Sequence, residues 1–173
     1  MKPEKLDIHS STYIDETAVI IGNVSIGKHC GIYPQAVIRG DQNTITIQDG
    51  SNVQDCCIIH VDDNHPTVIG KKVSLGHGSI VHGATIEDTC IIGMHATILN
   101  GAIVKKGSII GANSVVTSNS IISENSLVLG IPGKVIKQDE SYRDQAIKNA
   151  ETYIHLTKQY LNKQYPRFTH KKD

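Results

Sequence analysis

The feature that most constrains this chain is an aliphatic residue that recurs every six positions over most of its length. The period holds, with three breaks, at 19 register positions, of which 18 are Ile or Val. These register positions are Ile14, Ile20, Ile26, Ile32, Ile38, Ile47, Val53, Ile59, Ile69, Leu75, Val81, Ile86, Ile92, Ile98, Val104, Ile110, Val116, Ile122 and Val128. Four residues after most of them stands a small side chain such as Cys30, Ala36 or Ser51. This pattern predicts short strands and tight corners that close triangular coils, stacked about 4.8 Å apart.

Composition and charge exclude several other classes of protein. The chain has 26 Ile and 13 Val against 7 Leu, and this excess of β-branched residues argues against a mainly helical bundle. With 17 basic and 17 acidic side chains it carries no formal net charge, which argues against a nucleic-acid partner. No apolar run approaches the roughly 20 residues that a membrane-spanning helix requires, so we expect no membrane association.

The expected redox state of the cysteines follows from their spacing. Cys30, Cys56, Cys57 and Cys90 show neither a disulfide framework nor the spacing of a zinc knuckle. The first ten residues also lack the apolar core of a signal peptide. We therefore expect a cytoplasmic protein with reduced thiols. Three of the four cysteines fall on small inward positions, where we interpret them as buried hydrophobic residues.

The repeat resembles the hexapeptide repeat of the left-handed parallel β-helix family, and the left-handed sense is what this resemblance implies. We expect an all-β solenoid of triangular coils over residues 1–137. After Val128 the segment LGIPGKVIK is typical of a turn that leaves the coil. Apolar residues at three- and four-residue spacing then predict an α-helix over residues 138–165, packed on the β-helix or on a neighbouring subunit. Residues 166–173 are predicted to form a frayed tail.

Three breaks in the period fall on one edge of the predicted prism. Three residues are inserted after Ile38, four are inserted after Ile59, and one is deleted after Val81. Every third register position belongs to the same face, and these three share a face that we call face A. Face B precedes it along each coil, and face C follows it. Loops stacked at one edge of a rigid scaffold are where function is expected.

The repeat also places three polar residues in one outward column of face A. Arg39, His60 and His82 each follow a face A register position, on three successive coils. Two imidazoles on strands about 4.8 Å apart can share a metal ion at roughly 2.0–2.1 Å. A third candidate ligand, His77, belongs to face B and lies around a corner. In a symmetric homotrimer with face A of one subunit against face B of the next, His77 would arrive from the neighbouring subunit.

Four segments resemble the γ-class carbonic anhydrase-like family of hexapeptide-repeat proteins. They are IRGD at 38–41, NVQDCCIIH at 52–60, GHGSIVHG at 76–83 and IGMHATILNGAIV at 92–104. The resemblance implies Zn²⁺, or alternatively Fe²⁺ or Co²⁺, bound across a homotrimer interface by His60, His77 and His82. The other site residues that it implies are the interface pair Arg39 and Asp41, the water-orienting Gln54 and the adjacent Asp55.

The activity implied by this resemblance is the hydration of carbon dioxide. Three neutral histidines leave a fourth position open for water, whose pKa zinc lowers to about 7. The metal-bound hydroxide would attack carbon dioxide to give bicarbonate, with Gln54 orienting it. This chain departs from the most active members at Gln42, where they carry a glutamate, and in its short loop Val61–Pro66. We interpret the polar residues of that loop, which include Asp62, Asp63 and His65, as solvated.

Two other functions remain open at this point. The same scaffold and site could serve an acyl-coenzyme A thioesterase or acyltransferase, which also acts on a small-molecule substrate. The metal could instead be structural, in a trimer without turnover. A closed fourth ligand would favour the structural role, and an open position for water would favour the hydration of carbon dioxide.

Overall fold

The computed structural model describes residues 5–168, and within them the six-residue period folds as a left-handed parallel β-helix. Short strands on three flat faces pair in parallel with the strands one coil earlier and one coil later. The eight-stranded sheet of face B contains seven parallel strands and one antiparallel strand at its end. The predicted fold class, an all-β solenoid with a C-terminal helix, is confirmed.

The strands are short, and most of them contain only two residues. The strands of face A are β3 (Val19–Ile26), β5 (Val37–Ile47), β7 (Ile58–His60), β10 (Ile80–His82), β13 (Thr97–Ile98) and β16 (Val115–Val116). The strands of face B are β2 (Tyr13–Ile14), β4 (Gly31–Ile32), β6 (Asn52–Val53), β9 (Ser74–Leu75), β12 (Ile91–Ile92), β15 (Ile109–Ile110), β18 (Ser126–Leu129) and β19 (Lys134–Gln138). The strands of face C are β1 (Leu6–Ile8), β8 (Thr67–Ile69), β11 (Thr85–Ile86), β14 (Ile103–Val104) and β17 (Ile121–Ile122).

The register positions form the core, as predicted. Of the 19 positions, 17 are buried, and only Ile14 and Ile20 near the open end of the solenoid are half-buried. Identical or similar side chains stack directly on one another, because parallel pairing aligns each position with its equivalent in the next coil. The stack begins one step earlier than we predicted, at Ile8, which pairs with Ile26.

The three breaks lie at the edge between faces A and C. Here β3 and β5 continue around the edge and join the two faces into one 11-stranded sheet. Ile45 and Thr67 take the small inward position of their coils, where Ile45 pairs with Val24 and Thr67 with Ile45, and they are buried together with the loop residue Val61. After the deletion, Ala84 is buried and Thr85 only half-buried, so the small inward position moves back by one residue.

The inward cysteines behave as small hydrophobic residues. Cys30, Cys57 and Cys90 are free and buried, whereas Cys56 is free and exposed. Burial raises the pKa of the Cys30 thiol to about 11 and that of the Cys90 thiol to about 12. Protonated, buried thiols are chemically inert. The predicted inward position of these three cysteines is therefore confirmed.

The segment after Val128 differs from the prediction. Instead of a simple turn away from the coil, β19 turns back and pairs antiparallel with β18. A returning strand covers one sheet edge at the end of the solenoid, which would otherwise present unpaired backbone groups. The six-residue period could not predict it, because β19 runs in the opposite direction and has no register position of its own.

The C-terminal helix packs on face B of its own chain. This helix, α1 (Ser141–Leu161), lies against β2, β4, β6 and β9 and buries Ala146 and Ala150. The amide of Asn149 donates a hydrogen bond of 2.8 Å from Nδ2 to Ser74 Oγ. The helix is shorter than predicted at both ends, and its apolar side covers the first four coils of face B.

Arg167 links the end of the chain to the first coil. It forms an ion pair with Asp15 at 2.6 Å, and only 2 % of the Asp15 side chain is exposed. Burial opposes ionisation of Asp15, but hydrogen bonds from Thr17, Tyr13 and Arg167 outweigh it and hold the pKa of Asp15 below its ordinary value. Residues 169–173 of the predicted tail lie outside the described residues.

Candidate metal centre

The centre is built on two histidines that stand side by side on face A. His60 at the end of β7 and His82 at the end of β10 are paired in register on adjacent strands. His60 Nδ1 and His82 Nε2 are 3.0 Å apart, and the ring centroids are 4.9 Å apart. The predicted alignment of the two rings is confirmed, and it follows from the parallel pairing of Ile59 with Val81 beneath them.

Each of the two rings has its other nitrogen held by a hydrogen-bond partner. His60 Nε2 lies 3.0 Å from Asp41 Oδ1, and His82 Nδ1 lies 2.6 Å from Asn100 Oδ1. A carboxylate and an amide oxygen only accept hydrogen bonds, so these two ring nitrogens carry the protons. When both rings are neutral, the facing nitrogens, His60 Nδ1 and His82 Nε2, are then bare, and their lone pairs point at one another.

Two lone pairs 3.0 Å apart repel each other unless a cation lies between them. With metal–nitrogen bonds of about 2.0–2.1 Å, two ligands of a tetrahedral zinc ion stand roughly 3.4 Å apart, close to the separation observed. Imidazoles whose second nitrogen is bound to a carboxylate or amide are the usual form of histidine ligands. The pair His60 and His82 therefore fits two of the three positions of a histidine-bound metal.

Arg39 and Asp41 form an ion pair next to His60 in the same chain. Arg39 Nη1 donates to Asp41 Oδ2, while the other oxygen of Asp41 accepts from His60. Hydrogen bonds from Arg39 and then from His60 hold the pKa of Asp41 below its ordinary value. Asp41 is thus an ionised carboxylate that orients His60, with Arg39 balancing its charge.

His77 and Asp55 lie apart from this pair, at the edge between faces B and A. His77 Nδ1 is 2.9 Å from Asp55 Oδ2, and nearly half of each side chain is exposed. The N–H of Nδ1 donates to the carboxylate, so His77 Nε2 is the bare nitrogen. Among residues 5–168, no group of three or more His, Cys, Asp or Glu side chains comes close enough to hold a metal ion. The three predicted ligands are therefore not brought together within one chain.

Gln54 lies on face B, under α1 and next to Asp55 in the chain. It is 5 % exposed, and its Nε2 donates a hydrogen bond of 3.0 Å to Asn52 Oδ1. Asn52 in turn donates to Ser74 Oγ, the same oxygen that accepts from the helix. The side chain of Gln54 is thus fixed by a polar network on the His77 side of the molecule and does not lie with His60 and His82.

The position of α1 bears on the predicted packing of face A of one subunit against face B of the next, which stays a prediction. The helix covers face B as far as β9, the strand that precedes His77. A neighbouring subunit can approach His77 only at the edge between faces B and A, where that side chain is exposed. Face A itself is uncovered, with large apolar side chains such as Val19, Ile21 and Ile58 exposed on it.

The sequence analysis missed Asn100 and misinterpreted Asp62. Asn100 Nδ2 donates to Asp62 Oδ2, so the loop aspartate is bound to the metal centre and is not simply solvated. A signal for Asn100 was present in the sequence. Asn100 is two residues past a face A register position, where other coils carry Gly22, Gly40 and Gly83. The remaining two coils carry Val61 and Ser118 at this position, so Asn100 is the one amide in a mixed column and is a weak signal by itself.

The comparisons with known proteins agree with the observed fold and identify the family within the hexapeptide-repeat proteins. Residues 83–118 match the profile described as bacterial transferase hexapeptide, and residues 66–95 match the hexapeptide repeat of succinyl-transferase. A protein of Methanocaldococcus jannaschii named probable carbonic anhydrase is 47 % identical over 151 residues, which cover 87 % of this chain and 95 % of that protein. The chain belongs to the γ-class carbonic anhydrase-like family of hexapeptide-repeat proteins.

Another relative and a solved structure show how far the similarity extends. The mitochondrial gamma carbonic anhydrase 1 of Arabidopsis thaliana is 39 % identical over 105 residues, which cover 57 % of this chain but 38 % of that protein. The crystal structure of a hexapeptide transferase family protein from Anaplasma phagocytophilum superimposes with a TM-score of 0.85 and 34 % identity, covering 89 % of this chain and 92 % of the other.

Among residues 5–168, no helix is long and apolar enough to cross a membrane.

Proposed function

We propose that this chain is the subunit of a homotrimeric, metal-dependent carbonic anhydrase-like enzyme that converts carbon dioxide to bicarbonate. One observation carries the proposal: the bare nitrogens of His60 and His82 converge at 3.0 Å while their other nitrogens are held by Asp41 and Asn100. A pair of imidazoles locked in this arrangement needs a cation. Zn²⁺ is the ion that such nitrogen ligands suit, with Fe²⁺ or Co²⁺ as alternatives.

The third ligand in this proposal is His77 of a neighbouring subunit. Its Nδ1 is occupied by Asp55, and its bare Nε2 belongs to a side chain that is about half exposed at the edge between faces B and A. The exposed apolar column of face A supports a contact between copies of the chain, since a large uncovered apolar surface marks an interaction site. Gln54 lies on the same side of the molecule as His77, but it is 5 % exposed and bonded to Asn52, so orienting the metal-bound water would require its side chain to leave that network.

The chemistry follows from a site with three histidine ligands and a free position. Zinc held by these residues would supply a Lewis acid and would lower the pKa of a water in the free position to about 7. This chain's own residues supply orientation: Asp41 holds His60, Asn100 holds His82 and Asp55 holds His77. Arg39 balances the charge of Asp41, so that the carboxylate stays ionised beside the imidazole.

A second candidate function is acyl transfer or thioester hydrolysis on the same scaffold. The matches to transferase hexapeptide profiles and the close structural similarity to a hexapeptide transferase family protein favour it. Carbon dioxide hydration is the better supported of the two, because the probable carbonic anhydrase is 47 % identical and the hexapeptide transferase family protein 34 % identical, over similar shares of the chains. A trimer whose metal is structural is the third outcome that an experiment must separate.

The decisive experiment combines metal analysis with stopped-flow carbon dioxide hydration. The purified protein is expected to contain about one metal ion per subunit and to hydrate carbon dioxide, whereas His82→Ala loses both. His155→Ala is the matched control, because His155 is an exposed histidine of α1, which lies on face B and not on face A with His82. Molar mass is measured in parallel for all three proteins.

Each result of this experiment has a defined meaning. A wild-type protein without metal would contradict the site. Metal bound without hydration of carbon dioxide, but with hydrolysis of short acyl-coenzyme A esters, would favour the second candidate. Metal bound with neither activity would indicate a structural ion.

A further inference from the structure

A chain of hydrogen bonds connects the metal centre to the short loop at residues 61–66. His82 Nδ1 donates to Asn100 Oδ1 at 2.6 Å, and Asn100 Nδ2 donates to Asp62 Oδ2. The second oxygen of Asp62 accepts from the backbone N–H groups of Asn64 and His65, at 2.9 and 2.8 Å. His65 Nδ1 also lies 2.8 Å from this oxygen and 3.1 Å from the oxygen that accepts from Asn100, so Asp62 is bound both by its own loop and by Asn100.

Asp62 sets the donor and acceptor of each hydrogen bond in the series that links it to His82. An ionised carboxylate can only accept, so Asn100 must turn its NH₂ group towards it. That leaves the amide oxygen of Asn100 facing His82, and the oxygen in turn requires the proton of His82 to be on Nδ1. The proton is thereby kept off Nε2, the nitrogen that faces His60. Asp62 reaches His82 only through Asn100, which makes it a positioning residue and not a ligand.

The loop is held firmly enough for Asp62 to do this. Asn43 donates through Nδ2 to the backbone oxygens of Asp62 and Asp63, at 3.2 and 3.1 Å. Thr67 donates through Oγ1 to the backbone oxygen of His60 at 2.8 Å, which ties the end of the loop to the strand that carries the ligand. The inserted residues of two successive coils therefore support one another and place the carboxylate.

We propose that Asp62, acting through the amide of Asn100, selects the Nδ1-protonated tautomer of His82 and so keeps Nε2 free to bind metal. The proposal rests on the metal site described above. Asp41 does the same for His60 by direct contact, and Asp62 is its counterpart on the other ring. The two inserted loops thus have a specific role, which is to deliver one orienting carboxylate to each of the two histidines.

The substitution Asp62→Asn reverses the direction of these hydrogen bonds without changing any of the proposed metal ligands. The amide oxygen at position 62 must stay with the backbone N–H groups of the loop, so its NH₂ group faces Asn100. Asn100 then rotates to present its oxygen to position 62 and its NH₂ group to His82. Its NH₂ group donates to His82 Nδ1, and the proton moves to Nε2, where it blocks the metal.

Adding Asn100→Asp to that variant restores the original direction. Position 100 then carries a carboxylate, which accepts from the amide at position 62 and from His82 Nδ1–H. The double variant has the same residue types as the wild type with their places exchanged, so its net charge is unchanged. Asp63→Asn is the matched control, because it removes one negative charge from the exposed neighbour in the same loop.

Two measurements on the full-length protein test the proposal. Long-range ¹H–¹⁵N spectra of the metal-free, ¹⁵N-histidine-labelled protein report the tautomer of His82, whose signals are assigned by their loss in His82→Ala. Competition with a chromophoric chelator reports zinc affinity. We expect the Nδ1–H tautomer in the wild type and the Nε2–H tautomer in Asp62→Asn, with zinc affinity about 10–100-fold weaker in that variant. The double variant is expected to regain both properties, and Asp63→Asn to retain them.

The proposal is overturned if Asp62→Asn and Asp63→Asn have the same His82 tautomer and the same zinc affinity. It is also overturned if the double variant folds but stays as weak as Asp62→Asn. Should Asp62→Asn loosen the loop, Asn100→Leu tests the same link from the other side, since it leaves Asp62 and its loop contacts in place. Absence of zinc binding in the wild type would contradict the proposed function, whereas the tautomer in the metal-free protein would still decide this inference.

Discussion

Faces A and B bury the same type of aliphatic side chain, but their outward surfaces differ, because a helix covers face B and face A is open. On face B, α1 covers four coils and buries small residues such as Ala146 and Ala150 against them. On face A, Ile21 and Ile58 stay exposed beside the histidine pair. The inward side chains therefore determine that the chain coils. The outward side chains determine whether a face is covered by α1 of its own chain or stays open for a neighbouring subunit.

The distribution of aromatic side chains also differs between faces A and B. Four of the six tyrosines, Tyr13, Tyr33, Tyr153 and Tyr160, pack between the first coils and α1, with ring centroids 4.9 to 6.0 Å apart in each contacting pair. Tyr165, beyond the end of the helix, packs on Tyr160 and is exposed. Face A has no aromatic side chain in its outward columns apart from the two histidine rings. Covering face B thus stabilises the subunit, and leaving face A open allows the proposed assembly.

The largest effect is expected from a charge on the open face. Ile58→Glu is expected to abolish trimer formation, because every subunit contact would then bury an unpaired carboxylate, at a cost of several kcal/mol each. Light scattering after gel filtration should give the mass of the 18.8 kDa chain with its far-UV spectrum unchanged. Ile121→Glu, on face C and 66 % exposed, is the control and should remain a trimer. A trimeric Ile58→Glu would contradict the use of face A.

A smaller effect, on stability, is expected from the covered face. Tyr33 is 4 % exposed and touches three other tyrosine rings, so Tyr33→Ala should lower the free energy of unfolding by about 3–5 kcal/mol. Zinc affinity should hardly change, since Tyr33 is not part of the centre. Urea unfolding at a fixed subunit concentration measures the effect, with Tyr142→Ala as the control outside the cluster. Equal losses in the two variants would show that the cluster adds no stability.

The smallest effect is expected where the chain end meets face B. The pKa of Asp15 is lower in the folded protein, so its contribution is complete above the unfolded value of about 3.9 and is lost as the pH falls through the folded value. Asp15→Asn should cost about 1–3 kcal/mol at neutral pH and remove this part of the acid sensitivity. Unfolding measured between pH 7 and pH 3 tests it. A wild type and variant with parallel pH profiles would contradict the assignment.

Much of the fold could be predicted because parallel coils repeat one physical requirement. Every coil must place one bulky and one small side chain inward, so the period in Ile and Val marks the core directly. The prediction missed β19, whose antiparallel pairing with β18 follows no period. It also left open whether the helix packs on its own chain, because an amphipathic pattern shows that a face is buried but not against what.

The candidate site was predictable only in part. The strand register alone places His60 above Arg39 and below His82, because each coil repeats the outward positions of the last. The roles of Asn100 and Asp62 were not predictable in this way. Their hydrogen bond joins residues 38 positions apart, and Asp62 lies in an inserted loop where the period is broken and no longer sets side-chain directions.

The amino-acid sequence by itself determined the solenoid, its three faces and the column in which the histidines stand, since these depend on a local period that parallel pairing copies from coil to coil. Only the tertiary structure decided which face α1 covers, which nitrogens of His60 and His82 are free and how Asp62 acts on the second ring. Those features depend on contacts between distant loops and on the direction of individual hydrogen bonds, which a pattern of residue types does not encode.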